Sequence, residues 1–311
     1  MTDEMASFAD WMSNLNEKLT EIPLSQLAIP GSHDAMAYSL DVDSSVLEPK
    51  KLKSLDKIFS SFIRPIVKKW GTAQDKTISE QLEAGVRYFD LRVAGKPQSS
   101  DFFFYHGLYT IMTVKEGMTE LATWLGQHTK EVVILSFSHF KEMLDSQHSE
   151  LTGFLKEHFK TKLCPKTQMP SLKACWEKGY QVVLSYDKSG VNDDQLLWPR
   201  IEYWWADNSD PKEVISYLNN QKQKGRSEGF FVAGLNLTFD GNDMFLYLMK
   251  SLKEKTMSAY PLLLDWVKEQ RRGSDGESIN IIAGDFVGAN SFVQDVIRLN
   301  SADIVHENPT D

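Results

Sequence analysis

Short apolar runs punctuate this chain, and between most of them apolar residues recur at three- and four-residue spacing. The short runs lie at 24–29, 86–91, 102–105, 132–137, 181–185, 201–205, 230–235 and 279–283. They are rich in β-branched and aromatic residues, as parallel strands buried on both faces are. The segments between them read as amphipathic helices. Val114, Met118, Leu121 and Leu125 share one face over 114–127, with Glu116 and Glu120 outside it. Pro211 suits a first helical position and opens a helix to about Gln221, and 292–299 reads as the last helix. This alternation predicts an α/β fold, a distorted (β/α)8 barrel of TIM type, as a single domain over residues 1–311. The distortion is expected because the first connection, 39–77, is long and irregular.

Length and composition agree. The 311 residues suit one barrel, and 41% apolar residues supply a large core. No stretch marks a linker, a repeat or a low-complexity tract. A net charge of −9 argues against general nucleic-acid binding. Met1-Thr2-Asp3-Glu4 lacks a hydrophobic signal core, and no apolar stretch is long enough for a bilayer. Cys164 and Cys175 fit no zinc spacing and make no disulfide framework, so a reduced, cytoplasmic setting is expected. The sequon Asn236-Leu237-Thr238 lies in an apolar run and is expected to be unglycosylated.

Three short motifs carry the chemistry: Ile29-Pro30-Gly31-Ser32-His33-Asp34, Asp90-Leu91-Arg92 and Tyr105-His106-Gly107. Each follows a strand-like run, and Asp285 follows the last one. In barrels of this kind, strand C-terminal ends carry the active site. Two imidazoles can act as base and acid near neutral pH, carboxylates can orient them, and a guanidinium can hold a phosphate. That set suits splitting a phosphodiester. Any one of these residues alone reads equally well as a rim hydrogen bond; the group together does not. Among the other histidines, His128, His148 and His158 lie in polar helical contexts and are expected to be solvated, His139 can reach the rim, and His306 has no metal partner. No Gly-x-Ser-x-Gly elbow is present.

These motifs resemble the X region of phosphatidylinositol-specific phospholipases C. Gly85–Arg92, Val132–Ser136, Gly234–Thr238 and Ile281–Asn300 extend the likeness over nearly the whole chain. It is greatest to the X-domain-containing proteins that lack accessory domains. The resemblance implies cleavage of phosphatidylinositol-type lipids to diacylglycerol and inositol (cyclic) phosphate. His33 would be the general base, oriented by Asp285. His106 would be the general acid, paired with Asp34. Arg92 would hold a non-bridging phosphate oxygen.

The resemblance also bears on metal and headgroup. Calcium-dependent relatives read Glu-x-Asp where this chain reads Asp90-Leu91-Arg92, and a further calcium-binding Glu aligns with Ser138. Arg92 matches the metal-independent bacterial enzymes, so no metal and no cofactor are expected. Those enzymes carry headgroup cations near Ser138 and Tyr186, which are absent here. Asp90, Ser138, Tyr186, Trp205 and Asn236 are the candidate substrate-binding residues. Tyr203, Trp204 or Trp205 can stack on a sugar-like ring, though strand alternation turns at least one of them inward. Asn236 either lines the site or caps a loop.

A lipid substrate needs a membrane surface. From Lys50 to Trp70 the chain carries seven basic residues against Asp56, with Leu52, Leu55, Phe59, Phe62, Ile63 and Ile66 at helical spacing. That pattern describes either an interfacial helix bringing the protein to the membrane periphery or an ordinary barrel helix with a basic face. Two other functions remain open: a barrel that binds inositol lipids with little or no turnover, and a glycerophosphodiester phosphodiesterase. Arg92 stands against the carboxylate metal site that the latter would need.

Overall fold

The structure, a computed structural model, describes residues 8–190, 193–239, 243 and 250–301. The acidic start Met1–Glu4 and His306 lie outside them. The strands are β1 (Ile29–Ser32), β2 (Tyr88–Gly95), β3 (Phe102–His106), β4 (Leu108–Thr113), β5 (Val133–Lys141), β6 (Val182–Tyr186), β7 (Glu202–Trp204), β8 (Phe231–Gly234) and β9 (Ile281–Gly284). β6, β5, β2, β1, β9, β8 and β7 follow one another in that order, all neighbouring pairs parallel. The sheet curls into a TIM-type barrel that is not sealed. Between β6 and β7, the described residues show a single parallel bridge, Ser185 to Trp198.

Two strand assignments differ from the sequence reading. The first strand begins where 24–29 was expected to end, because Leu24–Gln26 forms a 3-10 turn. Pro30 and Gly31 look like a turn in the sequence, yet they sit inside β1. Gly31 is needed there: a Cβ would lie 2.9–3.0 Å from Tyr88, Ala283 and Ile281. The run at 102–105 is not a barrel strand. β3 pairs antiparallel with the far end of β2 and with β4. It belongs to a hairpin that projects beyond the barrel rim.

The helices are α1 (Glu17–Glu21), α2 (Lys50–Gly71), α3 (Ile78–Glu83), α4 (Val114–Gln127), α5 (Asp145–Phe159), α6 (Leu172–Lys178), α7 (Pro211–Lys224), α8 (Leu252–Lys268) and α9 (Phe292–Arg298). Local chemistry sets their starts. Thr113 and Glu116 form a reciprocal capping box for α4, and the Asp210 carboxylate accepts from Lys212 N ahead of Pro211 in α7. α2 breaks at Phe59, which has non-helical backbone angles. His148 is buried, contrary to expectation, and its Nδ1 bonds the Tyr186 hydroxyl at 2.8 Å. Cys164 and Cys175 are both buried and unbridged.

Candidate active site

The ends of β1, β2 and β9 and the tip of the β3–β4 hairpin converge at one mouth of the barrel. His33 and Asp34 follow β1 directly. Asp34 adopts φ of 43° and Phe286, after Asp285, φ of 51°. Both angles are strained for residues with a Cβ, and such strain collects at functional sites. Here it turns Asp34 and Asp285 toward the same imidazole.

His33 Nδ1 lies 2.8 Å from Asp285 Oδ1, and Arg92 Nη2 donates to His33 Nε2 at 2.9 Å. A guanidinium can only donate, so these partners put the proton on Nδ1 and leave Nε2 as the acceptor. Asp34 Oδ2 is 3.1 Å from His33 Nε2 and 3.4 Å from His106 Nε2. Asp34 Oδ1 is 2.8 Å from Arg92 Nε, and Asp90 Oδ2 is 3.6 Å from the same nitrogen. The two imidazole centroids stand 6.3 Å apart with Asp34 between them. His106 Nδ1 donates to the Gly71 carbonyl at 2.7 Å.

These charges set one another's protonation. Burial pushes His33 down, but Asp34 and Asp285 outweigh it and hold the imidazole above its ordinary 6.5. Burial would raise the Asp34 carboxyl, yet Arg92, His106 and His33 pull it down to about 2. Burial likewise works against the Arg92 charge, and Asp34 and Asp90 more than restore it.

His33, Asp34 and Asp90 present ligand atoms close enough together to hold a metal ion. Arg92 contests that place. Its Nη2 is on His33 Nε2 and its Nε is on Asp34. A dication there would face a fixed guanidinium, and calcium needs several more oxygens. The residues present do not fit calcium.

A cavity of about 350 Å³ opens onto this cluster. His33, Arg92, His106 and Asp285 line its charged side; Val67, Trp70, Leu237, Phe239 and Leu252 line its apolar side. Trp205 and Asn236 are also in the wall. The Trp205 indole donates to Thr238 Oγ1 at 2.8 Å, and half of the side chain is exposed at the rim. Tyr203 donates to Asn236 Oδ1 at 2.8 Å, with its ring 6.1 Å from that of His33. Gly234 makes room for it, since a Cβ there would run into the Tyr203 ring. Trp204 turns inward onto Phe231. Asp90 supports the cluster, accepting from Asp34 N and from Ser138 Oγ, both at 3.3 Å. Ser138 is buried behind Asp90, and Tyr186 is buried among Phe137, Phe140 and His148; neither lines the cavity.

Three features were not foreseen. Glu48 lines the cavity and pairs with Lys141. Gln74, fully buried, donates to the His33 and Gly284 carbonyls. The C-terminal turn of α2 forms part of the cavity wall through Val67, Trp70 and Gly71. The basic segment offered a signal for the last; Glu48 and Gln74 offered none, as single polar residues in an irregular stretch.

Comparison with known proteins places the chain in a family and a fold. The family model "Phosphatidylinositol-specific phospholipase C, X domain" matches residues 54–179. That span includes Arg92 and His106, while His33, Asp34 and Asp285 fall outside it. Whole-chain relatives cover the rest. PI-PLC X domain-containing protein 1 of Danio rerio is 48% identical over 94% of this chain and 97% of its own length. Its Homo sapiens counterpart is 41% identical over 94% and 92%. Among solved structures, the phosphatidylinositol-specific phospholipase C of Staphylococcus aureus has a TM-score of 0.69 at 16% identity, over 94% of this chain and 98% of that one. The enzyme of that name from Listeria monocytogenes has a TM-score of 0.63 at 18% identity, over the same shares. At such identities the structures speak for the fold, and the relatives' sequences speak for the family: the chain belongs to the phosphatidylinositol-specific phospholipase C X-domain family.

Proposed function

We propose that the protein is a phosphodiesterase that cleaves phosphatidylinositol-type lipids by acid–base catalysis without a metal ion. One observation carries this reading: two imidazoles flank a buried carboxylate–guanidinium pair, their centroids 6.3 Å apart, on the charged side of a cavity whose other side is apolar. His33 Nε2 takes the proton of the inositol 2-hydroxyl as its oxygen bonds to phosphorus. The bond from phosphorus to the glycerol oxygen breaks, and His106 Nε2 gives that oxygen its proton. The products are diacylglycerol and inositol cyclic phosphate, which water can open in a second round. Asp285 holds the charged His33, and Arg92 neutralises charge on the phosphate. In the free protein Arg92 bonds His33 Nε2; a bound phosphate gives the guanidinium an anionic partner instead. Tyr203, Asn236 and Trp205 are the groups nearest to where the ring would sit.

The surface supports a peripheral membrane role. Among the described residues no helix is long and apolar enough to cross a membrane. On α2, Leu52, Ile63 and Ile66 pack inward, while Ile58, Phe59 and Phe62 are 74%, 55% and 57% exposed. The exposed trio sits at the break in the helix, next to Lys57, on the element whose end lines the cavity. Basic residues beside exposed apolar ones suit an anionic bilayer surface.

A second reading is a lipid-binding barrel with little turnover. It is favoured by Ser138 and Tyr186, which put no cation at the headgroup positions. One experiment separates the two: labelled phosphatidylinositol vesicles incubated with the protein, with and without chelator. Water-soluble inositol phosphates in both samples support the enzyme; vesicle binding without release of product supports the second reading.

A further inference from the structure

Between α2 and α3 the chain makes a short passage through the active site that no motif announces. Three of the four residues 71–74, namely Gly71, Ala73 and Gln74, bond to residues of, or next to, the acid–base pair. The Gly71 carbonyl accepts from His106 Nδ1 at 2.7 Å. The Ala73 carbonyl accepts from Phe286 N at 2.8 Å, beside Asp285. The Gln74 amide donates to the His33 carbonyl at 2.8 Å and the Gly284 carbonyl at 3.0 Å, and its oxygen accepts from Val287 N at 3.2 Å. Gln74 is 1% exposed.

We propose that residues 71–74 are a positioning strap: the Gly71 carbonyl selects the tautomer of His106, and Gln74 ties the His33 backbone to the Asp285 loop. This inference rests on the acid and base roles given above. A carbonyl oxygen can only accept, so its partner Nδ1 must carry a proton in both charge states of His106. The proton that comes and goes is then on Nε2, the nitrogen that faces Asp34 and the cavity. Without that bond a neutral imidazole is free to place its proton on either nitrogen, and the acid would be presented in the wrong form for part of the time. Gln74 acts on the other side. β1 and β9 end at Ser32 and Gly284, and the last bond between them runs from His33 N to the Gly284 carbonyl at 3.1 Å, which leaves the His33 carbonyl and Asp285 beyond the ladder. The Gln74 amide adds a second tie at this point, holding the His33 and Gly284 carbonyls together beside the side chains that must meet at 2.8 Å. The glycine at 71 follows from this closeness, since a Cβ there would lie 2.7 Å from the His106 carbonyl oxygen.

Leaving-group chemistry distinguishes the two halves of the strap from each other and from a structural role. An alkoxide leaving group needs the acid, and an aryl leaving group does not. Turnover should be measured on phosphatidylinositol and on a soluble inositol nitrophenyl phosphodiester. Gly71→Ala should lose about tenfold or more in kcat on the lipid and less than about twofold on the aryl substrate. Gln74→Met should lose by the same factor on both, because attack by His33 is common to them, with KM little changed. Gln74→Glu, which keeps the acceptor and loses the donor, should behave likewise and serves if the methionine variant does not fold. Equal losses on the two substrates for Gly71→Ala, or none, overturn the Gly71 role. Full kcat on both substrates for the Gln74 variants overturns the Gln74 role. The tautomer needs no variant: nitrogen-15 spectra of the wild-type protein at a pH where His106 is neutral should show the proton on Nδ1. A proton on Nε2 refutes the assignment, even in a protein that turns over neither substrate. A wild-type protein inert on both would sink the proposed reaction and leave the spectrum to decide the geometry.

Discussion

β2 has one arginine just before it, Arg87, and one within it, Arg92, and the two have opposite surroundings. Arg87 and its partner Glu131 are completely buried at the closed end of the barrel. All three guanidinium nitrogens of Arg87 donate, to Glu131 and to the carbonyls of Leu82, Val86 and Ala9. Glu131 also accepts from the backbone of Met12 and Ser13. Burial dominates there, lowering the arginine's affinity for its proton and raising the carboxyl's. At the open end Arg92 is 18% exposed beside Asp34 and Asp90, and the neighbouring charges dominate instead. Among the described residues, Asp34 Oδ1 meets Arg92 Nε and Asp34 Oδ2 meets the two imidazoles at ion-pair distance but without the alignment of a hydrogen bond, and Asp285 Oδ2 is likewise unmatched. A saturated cluster fastens the fold; one with donors and acceptors left over is ready for a ligand.

The comparison breaks most easily at the saturated end. Arg87→Met strands a buried carboxylate and should cost about 3–5 kcal/mol in denaturant unfolding, leaving turnover of the folded fraction intact. A loss of turnover without loss of stability would reverse the assignment of the two ends. At the open end, His33→Ala and His106→Ala should each lower turnover at least roughly a hundredfold, about 2.7 kcal/mol of barrier, with the fold intact by circular dichroism. His33 has a pH signature as well. Since its folded pKa is raised above 6.5, its charged form contributes stability that is complete below that pH and lost as pH rises through the raised value. Turnover needs the neutral form, so it should rise over the same interval. Parallel rather than opposed profiles would show that His33 is not the base.

Arg92→Lys keeps the charge and loses the fork, and should lower turnover about tenfold, or 1.4 kcal/mol. Chelator should change neither protein, whereas restoration of activity by added calcium would mean that the cation site belongs to a metal. The smallest expected effect is on the outer surface. Lys57→Glu should weaken binding to anionic vesicles by about 1 kcal/mol or somewhat more, diminish with salt, and spare a soluble substrate. Unchanged vesicle binding would reduce α2 to a barrel helix.

The sequence made the site more legible than its scaffold. His33, Asp34, Arg92, His106 and Asp285 do converge: His33, Asp34 and Asp285 follow the ends of parallel barrel strands, which have one place to go, Arg92 lies beside them on β2, and His106 is brought in by the antiparallel hairpin. The hairpin of β3 and β4 was hidden, since a run such as Phe102-Phe103-Phe104-Tyr105 has the composition of any buried strand, parallel or antiparallel. β1 was displaced because Pro30 and Gly31 carry turn propensity that tertiary packing overrides. Gln74 was invisible for a different reason: its role lies in backbone carbonyls far away in the chain, and side-chain identity does not announce those.

The seam between β6 and β7 has a consequence of its own. β7 is three residues long, and on the β6 side the described residues show only the bridge at Trp198 and a bond from Ser185 Oγ to the Pro199 carbonyl. The five catalytic candidates hang from β1, β2, β9 and the hairpin, which are laddered in series from β9 through β1 and β2 to β3. Breathing of the barrel should therefore start at the seam, and its amides should trade hydrogen for deuterium well before those of β1 or β9. Opening on that flank should leave the distance between acid and base undisturbed.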